Sequence, residues 1–191
     1  MRKNQLIGYL SLLAIVLLSA CGSTNGSIGK QEYFVLGSSQ TAKLSLISGE
    51  PQISIARVRL PDYLNQRLLV KRGKNGEVRV LNQQFWAEKL SQSMPQKLAK
   101  ELAVYLKKPV EVHPLPPGIS VATSVEIDVS EFLADDNNVV LQTSYRLIKP
   151  KKLDSHNFST TVKLTDTSTL ALVNGYRQAL EQLAADIAKH L

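Results

Sequence analysis

The sequence predicts an α+β domain of two layers, an antiparallel-rich mixed sheet carrying two main helices. Three observations lead there. Short stretches alternate apolar and polar residues, the strand period of two. Two longer stretches repeat apolar residues every three or four positions, as one face of a helix does. Strand-like and helix-like stretches are segregated along the chain, and nothing recurs at the periods of solenoids or propellers.

The first half reads mainly as strands. Residues 33–36 form a short apolar run. Residues 52–60 form a longer one, in which the apolar parity switches between Ile55 and Val58. A bulge, or burial on both faces, explains such a switch. Residues 68–71 and 77–81 flank Gly73-Lys74-Asn75-Gly76. Asn-Gly between two β-rich runs is a strong hairpin signal, because both residues tolerate positive φ.

A helix is predicted over about residues 84–107. Trp86, Leu90, Met94, Leu98, Leu102, Tyr105 and Leu106 fall on one face, with Asn82 as the candidate N-cap. Pro95 costs about 3 kcal/mol inside a helix. Either the helix kinks there, or a first turn ends near Ser93 and Pro95 opens a second helix. Pro109 ends the element.

Residues 110–115 give another apolar run, followed by a Pro-rich turn at Pro114, Pro116, Pro117 and Gly118. Then come three alternating stretches. Val121 to Val129 is the first, Val139 to Leu147 the second and Phe158 to Leu164 the third. Residues 134–138 read as a turn and 150–157 as a polar loop. Three such strands predict an antiparallel meander. The last helix is predicted over about residues 168–190, with Val173, Tyr176, Leu180, Leu183 and Ile187 as its apolar stripe. That stripe reads as core; at little more than two heptads it is short for a coiled coil.

Composition bounds the function. With 43% hydrophobic and 20% charged residues, the chain is globular rather than disordered. A length of 191 residues suits one domain. A single cysteine excludes an intramolecular disulfide framework and a Cys-rich zinc site. Lys and Arg number 23 against 16 Asp and Glu, net +7, which suits an anionic partner such as nucleic acid or a membrane surface.

The N-terminus discriminates between them. Arg2 and Lys3 precede an apolar stretch over residues 6–18, too short for a spanning helix of about 20 residues. Leu18-Ser19-Ala20-Cys21 follows, and Cys21 is the one cysteine in the chain. This resembles the bacterial lipoprotein signal, in which that cysteine is lipidated and becomes the first mature residue. The expected organisation is a signal peptide over 1–20, a lipidated Cys21 with a flexible Gly/Ser-rich tether over 21–31, and one domain over 32–191. Loss of Arg2 and Lys3 leaves 21 basic against 16 acidic side chains, net +5. Export argues against nucleic acid as the partner. By resemblance to the sorting pattern of such lipoproteins, Gly22 rather than Asp after the cysteine favours the inner leaflet of the outer membrane.

No constellation argues for catalysis or for a cofactor. His113, His156 and His190 are far apart in sequence, without metal-ligand spacing, and read as exposed or capping residues. Asp135 and Asp136 lack the spaced ligands of a calcium loop and read as turn residues. Ser38 and Ser39 follow Gly37 but lack the second glycine of a nucleophile elbow. The basic groups, Lys71-Arg72 with Lys74, Lys107-Lys108, and Lys149 with Lys151-Lys152, read as solvated turn charge or as contacts to anionic lipid or an acidic protein.

Two segments carry a family resemblance. One is Val58-Arg59-Leu60-Pro61-Asp62-Tyr63-Leu64, followed by Arg67, Val70 and Arg72; the other is Trp86-Ala87-Glu88, followed by Leu90 and the apolar helix. With the Cys21 signal, they resemble the ABC-type transport auxiliary lipoprotein family. Lys89 and Asn65 depart from its usual pattern, which often has Pro and Asp there. The resemblance implies a non-enzymatic, outer-membrane accessory subunit of an MCE-type lipid transporter. Its partners would be an MCE-domain protein of the PqiB type, membrane lipids through the acyl anchor, and possible further copies of itself. The alternative is a periplasmic scaffold for envelope assembly or secretion. Pro61, Tyr63, Leu64, Arg67, Arg72, Trp86 and Glu88 are the candidate partner-binding residues. Pro61 ends the preceding strand, leaving Tyr63 either as an aromatic contact on a surface loop or, with Leu64, as a lid on the core. Trp86 reads as core ahead of partner anchor. Arg67 or Arg72 is a possible partner for Glu88.

Overall fold

The computed structural model describes residues 29–37, 47 and 49–191. The expected signal peptide, Cys21, most of the expected tether, Ser38 and Ser39 lie outside the described residues. Gln31–Leu191 forms one compact unit.

The chain runs β1 (Glu32–Phe34), β2 (Ile53–Arg59), β3 (Leu68–Arg72), β4 (Val78–Trp86), α1 (Leu90–Leu106), β5 (Val110–Val112), β6 (Thr123–Ala134), β7 (Asn138–Lys149), β8 (Lys152–Lys163) and α2 (Thr169–His190). The eight strands form one mixed, largely antiparallel sheet, and both helices cover the same face of it. This is the α+β two-layer architecture expected.

β6 organises the sheet. One edge pairs antiparallel with β7 along its length, and β7 pairs in turn with β8. Its other edge is shared. The first half pairs parallel with β2, and Ala134 at its end meets Lys71 of β3. β2 continues to β5, and β3 continues through β4 to β1. The meander of β6, β7 and β8 follows directly from alternation. Val125, Ile127, Val139, Leu141, Tyr145 and Leu147 are all buried on the helix side.

The parity switch in β2 is a bulge, with the register shifting between Ile55 and Arg57 against β6. The hairpin also forms: Gly76 adopts φ +86°, and the Gly73 N–H donates to the Glu77 carbonyl at 2.7 Å. Asn75 does not share the positive φ.

Three expectations are corrected. The first concerns the start of α1. Trp86 ends β4 rather than opening the helix, because Phe85 and Trp86 pair with Tyr33 and Phe34 of β1; the helix begins at Leu90 after Lys89, and Asn82 lies within the strand. Strand pairing overrides a helical spacing that continues by coincidence across the boundary. The second concerns one of the two alternatives at Pro95: the residue sits buried inside one continuous helix, which sets aside only the reading in which it opens a second helix. Lys107, at φ 54°, closes that helix. The third concerns residues 152–157, which are strand and not loop. They are polar because β8 lies at the rim of the sheet, where few side chains are buried.

α2 begins at its cap, where Ser168 Oγ accepts the Ala171 N–H at 3.1 Å. Its predicted stripe is buried throughout. Gly175 permits the close approach of α2 to the sheet. A Cβ there would stand 2.6 Å from Val139 Cγ2 and 2.7 Å from Leu164 Cδ2.

Candidate interaction surface

Pro61 stands before a single 3-10 turn, Asp62–Leu64, in which the Leu64 N–H donates to the Pro61 carbonyl at 3.0 Å. The turn drives Leu64 into the core, at 2% exposure. Tyr63 packs half-buried beside it, and its hydroxyl accepts the backbone N–H of Phe132 at 3.3 Å. Burial pushes its phenol above the ordinary range. Tyr63 is therefore a lid on the core that also supplies a partner to a backbone N–H of β6.

Trp86 is 2% exposed and meets Tyr176 edge-on, with ring centroids 5.5 Å apart. Tyr176 tilts against Phe132 at 4.4 Å. Its hydroxyl donates to the Phe132 carbonyl at 3.4 Å, and burial pushes it well above the usual phenol range. Arg67 clamps the exit of β4. Its Nε donates to the Trp86 carbonyl at 3.4 Å and its Nη2 donates to the Ala87 carbonyl, while the Trp86 N–H returns a bond to the Arg67 carbonyl at 2.6 Å. Arg72 pairs with Glu131. Neither arginine bonds to Glu88, which is exposed. Leu64 and Trp86 are thus unavailable to a partner in this fold, and the two segments meet as one structural unit around Phe132 and Tyr176.

The face of the sheet away from the helices is open and charged in a definite pattern. Register places Arg57 beside Glu126 and Arg59 beside Asp128, and sets Glu126 opposite Arg146. Arg59 grips both carboxylate oxygens of Asp128, with Nη2 2.8 Å from Oδ2. Arg57 lies 3.2 Å from Glu126, and Arg146 lies 2.6 Å from Glu126 and 3.7 Å from Asp128. The Arg59 hydrogen bond holds the Asp128 carboxyl below the usual carboxylate range. Lys71 similarly pairs with Asp136 at 2.6 Å. Much of the basic excess near β3 is thus matched within the domain.

Next to this ladder lies a groove of about 630 Å³, lined by Ser130, Gln142, Ser144, Asn157 and Ser159 among others. It follows from a second bulge, where the β6 register shifts between Val129 and Glu131. Ser130 Oγ there donates to the Gln142 carbonyl at 3.0 Å.

A family model, described as the ABC-type transport auxiliary lipoprotein component, matches residues 34–188. The chain belongs to that family. No curated protein gives a significant match. Among solved structures, the crystal structure of an uncharacterised protein shares 21% identity at a TM-score of 0.68, covering 85% of this chain and 99% of its own. Protein XCC0632 from Xanthomonas campestris, of family DUF330, shares 14% identity at a TM-score of 0.60, covering 83% of this chain and 89% of its own. Both share the fold. The transport auxiliary family is a class of transport component and not an enzyme class.

For a member of this family, the described residues hold no group of three His, Cys, Asp or Glu side chains arranged to hold a metal ion, and no helix long and apolar enough to cross a membrane. Among the polar clusters that no sequence spacing announces is one around Tyr145. Tyr145 OH donates to Asp186 Oδ2 at 2.7 Å and lies 2.9 Å from His190 Nδ1; the His156 and His190 rings are 4.1 Å apart. The histidines that look unrelated in sequence meet because the β8 rim lies under the last turn of α2. No local signal encodes that meeting.

Proposed function

We propose that this chain is an outer-membrane lipoprotein, an accessory subunit that docks or anchors an MCE-type intermembrane lipid transport assembly at its outer-membrane end. The observation that carries the reading is the family match over almost the whole folded domain, joined to the lipoprotein signal ending at Cys21. Two or more acyl chains on Cys21 would make the anchor stable, where one chain gives only reversible binding. The residues between the anchor and the domain would let it meet an assembly spanning the periplasm. Its partner on this reading is an MCE-domain protein of the PqiB type, and several copies of the chain could surround one such assembly.

Affinity purification of the full, lipidated chain from detergent-solubilised membranes tests the proposal. It should retrieve an MCE-domain protein and place the chain in the outer-membrane fraction. A partner set dominated by cell-wall or secretion components would instead establish an envelope scaffold. Cys21→Ser should abolish lipid attachment and outer-membrane fractionation, while the thermal midpoint of the folded domain stays unchanged.

A further inference from the structure

We propose that the outer edge of β8 is a docking strand for an extended segment of a partner protein whose ends are acidic.

The free edges of the sheet differ in length: β4 is open on its outer side only over residues 78–83, because β1 covers its last three residues. β1 and β5 are three residues each, short enough to offer little template for pairing. β8 is twelve residues long and pairs with β7 in unbroken register from Lys152↔Lys149 to Lys163↔Asn138. Among the described residues no strand pairs with its other side. Alternate residues of such a strand direct backbone N–H and C=O groups outward. Proteins usually blunt a rim like this with a proline, a bulge or a central charge. Between Ser155 and Val162, β8 has none of these apart from His156, which is turned toward α2.

The side chains specify the occupant. Ser155, Asn157, Ser159 and Thr161 lie on the open face, short and neutral, so a second strand can approach without steric or charge conflict. Lys151 and Lys163 flank the stretch, exposed and without an ion pair among the described residues. At the hairpin end Ile148 and Leu153 form a cross-strand pair, 37% and 60% exposed, offering a seat for one apolar side chain. A neutral run with a cation near each end complements an extended segment with carboxylates near each end. A second copy of this chain is the poorer fit. Antiparallel pairing of two β8 edges sets Lys151 and Lys152 of one copy toward Lys163 of the other, and like charges opposed across strands are unfavourable. Strand addition takes its affinity from main-chain hydrogen bonds and its selectivity from alternate side chains, as this rim allows.

Hydrogen exchange on the full chain in detergent tests the proposal, and does so whichever transport assembly the chain serves. The probe is a peptide as long as β8, alternating Thr and Val, with a pair of Glu at each end; its control carries Lys pairs instead. The Glu-ended peptide should slow exchange of the outward-facing β8 amides by about tenfold or more, and the Lys-ended one should not. In Lys151→Glu/Lys163→Glu, both sites being exposed, the preference should reverse. Protection elsewhere, or an equal response to both peptides, would overturn the proposal. So would protection that grows with protein concentration in the absence of peptide, since a second copy would then occupy the edge.

Discussion

Trp86 separates a structural from a partner-binding reading of the Trp-Ala-Glu segment. Its indole is 2% exposed and touches Tyr176 with centroids 5.5 Å apart. Replacing a buried Trp by Ala costs about 3–5 kcal/mol, through lost burial and the cavity left behind. A domain of this size has about 5–15 kcal/mol in total, so Trp86→Ala should remain folded but marginal. The thermal midpoint should fall by about 6–20 °C, at roughly 2–4 °C for each kcal/mol. Circular dichroism reads the midpoint in both proteins. Trp86 is the one tryptophan in the chain, so its fluorescence independently follows unfolding of the parent in urea. A cycle with Trp86→Leu and Tyr176→Leu should give a coupling of about 0.5–1.5 kcal/mol for the edge-on pair. A Trp86→Ala protein within about 2 °C of the parent that nevertheless fails to retrieve its partner would refute the reasoning. The indole would then be an anchor, and the burial described here would not persist in solution.

Three further outcomes follow. Tyr63→Phe keeps the ring and removes the acceptor of the Phe132 N–H, and urea unfolding should show a loss of about 1 kcal/mol. Gly175→Ala gains about 1 kcal/mol of helix propensity but forces a methyl against Val139 at a cost of about 1–3 kcal/mol, so the variant should be the less stable one. The same change made in Val139→Ala, which removes one of the two close contacts and leaves that with Leu164 Cδ2, should cost less than it does in the parent. Asp128 has its pKa depressed by Arg59, so its contribution is present above the unfolded carboxylate value of about 3.9 and is lost as pH falls through the lower folded value. Asp128→Asn should therefore show a smaller loss of midpoint than the parent on acidification below about pH 4, measured at constant ionic strength.

The parts of the fold legible in the sequence are those with a local cause. Alternation in β6 and β7 encodes one buried face, and the stripe from Val173 to Ile187 encodes the face of α2 that packs. Gly76 encodes the hairpin turn. Sequence pattern and structure diverge where distant pairing decides. Trp86 fits a helical spacing as well as a strand end, and only β1 arriving alongside makes it strand. Residues 152–157 look like loop because a rim strand buries few side chains, and strand identity there comes from β7. The two family segments were legible as motifs, but their meeting around Tyr176 and Phe132 was not. The cluster of His156 and His190 and the carboxylate partners of Arg59 and Arg72 are products of register alone.

That distribution bears on where partner contact resides. Residues with the sharpest sequence signal, Leu64 and Trp86, close the core, Tyr63 and Arg67 satisfy or clamp backbone groups, and Arg72 is held by Glu131. The surfaces that stay open to a partner include the charge ladder of the open face, the groove beside Ser130, and the rim of β8. On the ladder each carboxylate already faces an arginine, so a partner charge must displace an existing pair and gains little at an exposed site. The rim has no such internal competitor among the described residues, and its backbone groups exchange water for a partner strand without breaking any bond of the domain. Recognition through main-chain groups also demands little of side-chain identity beyond small, neutral residues and flanking charge. A surface of that kind leaves a weak mark on the sequence, which is why Ser155 to Thr161 reads as an ordinary polar stretch until the sheet is assembled around it.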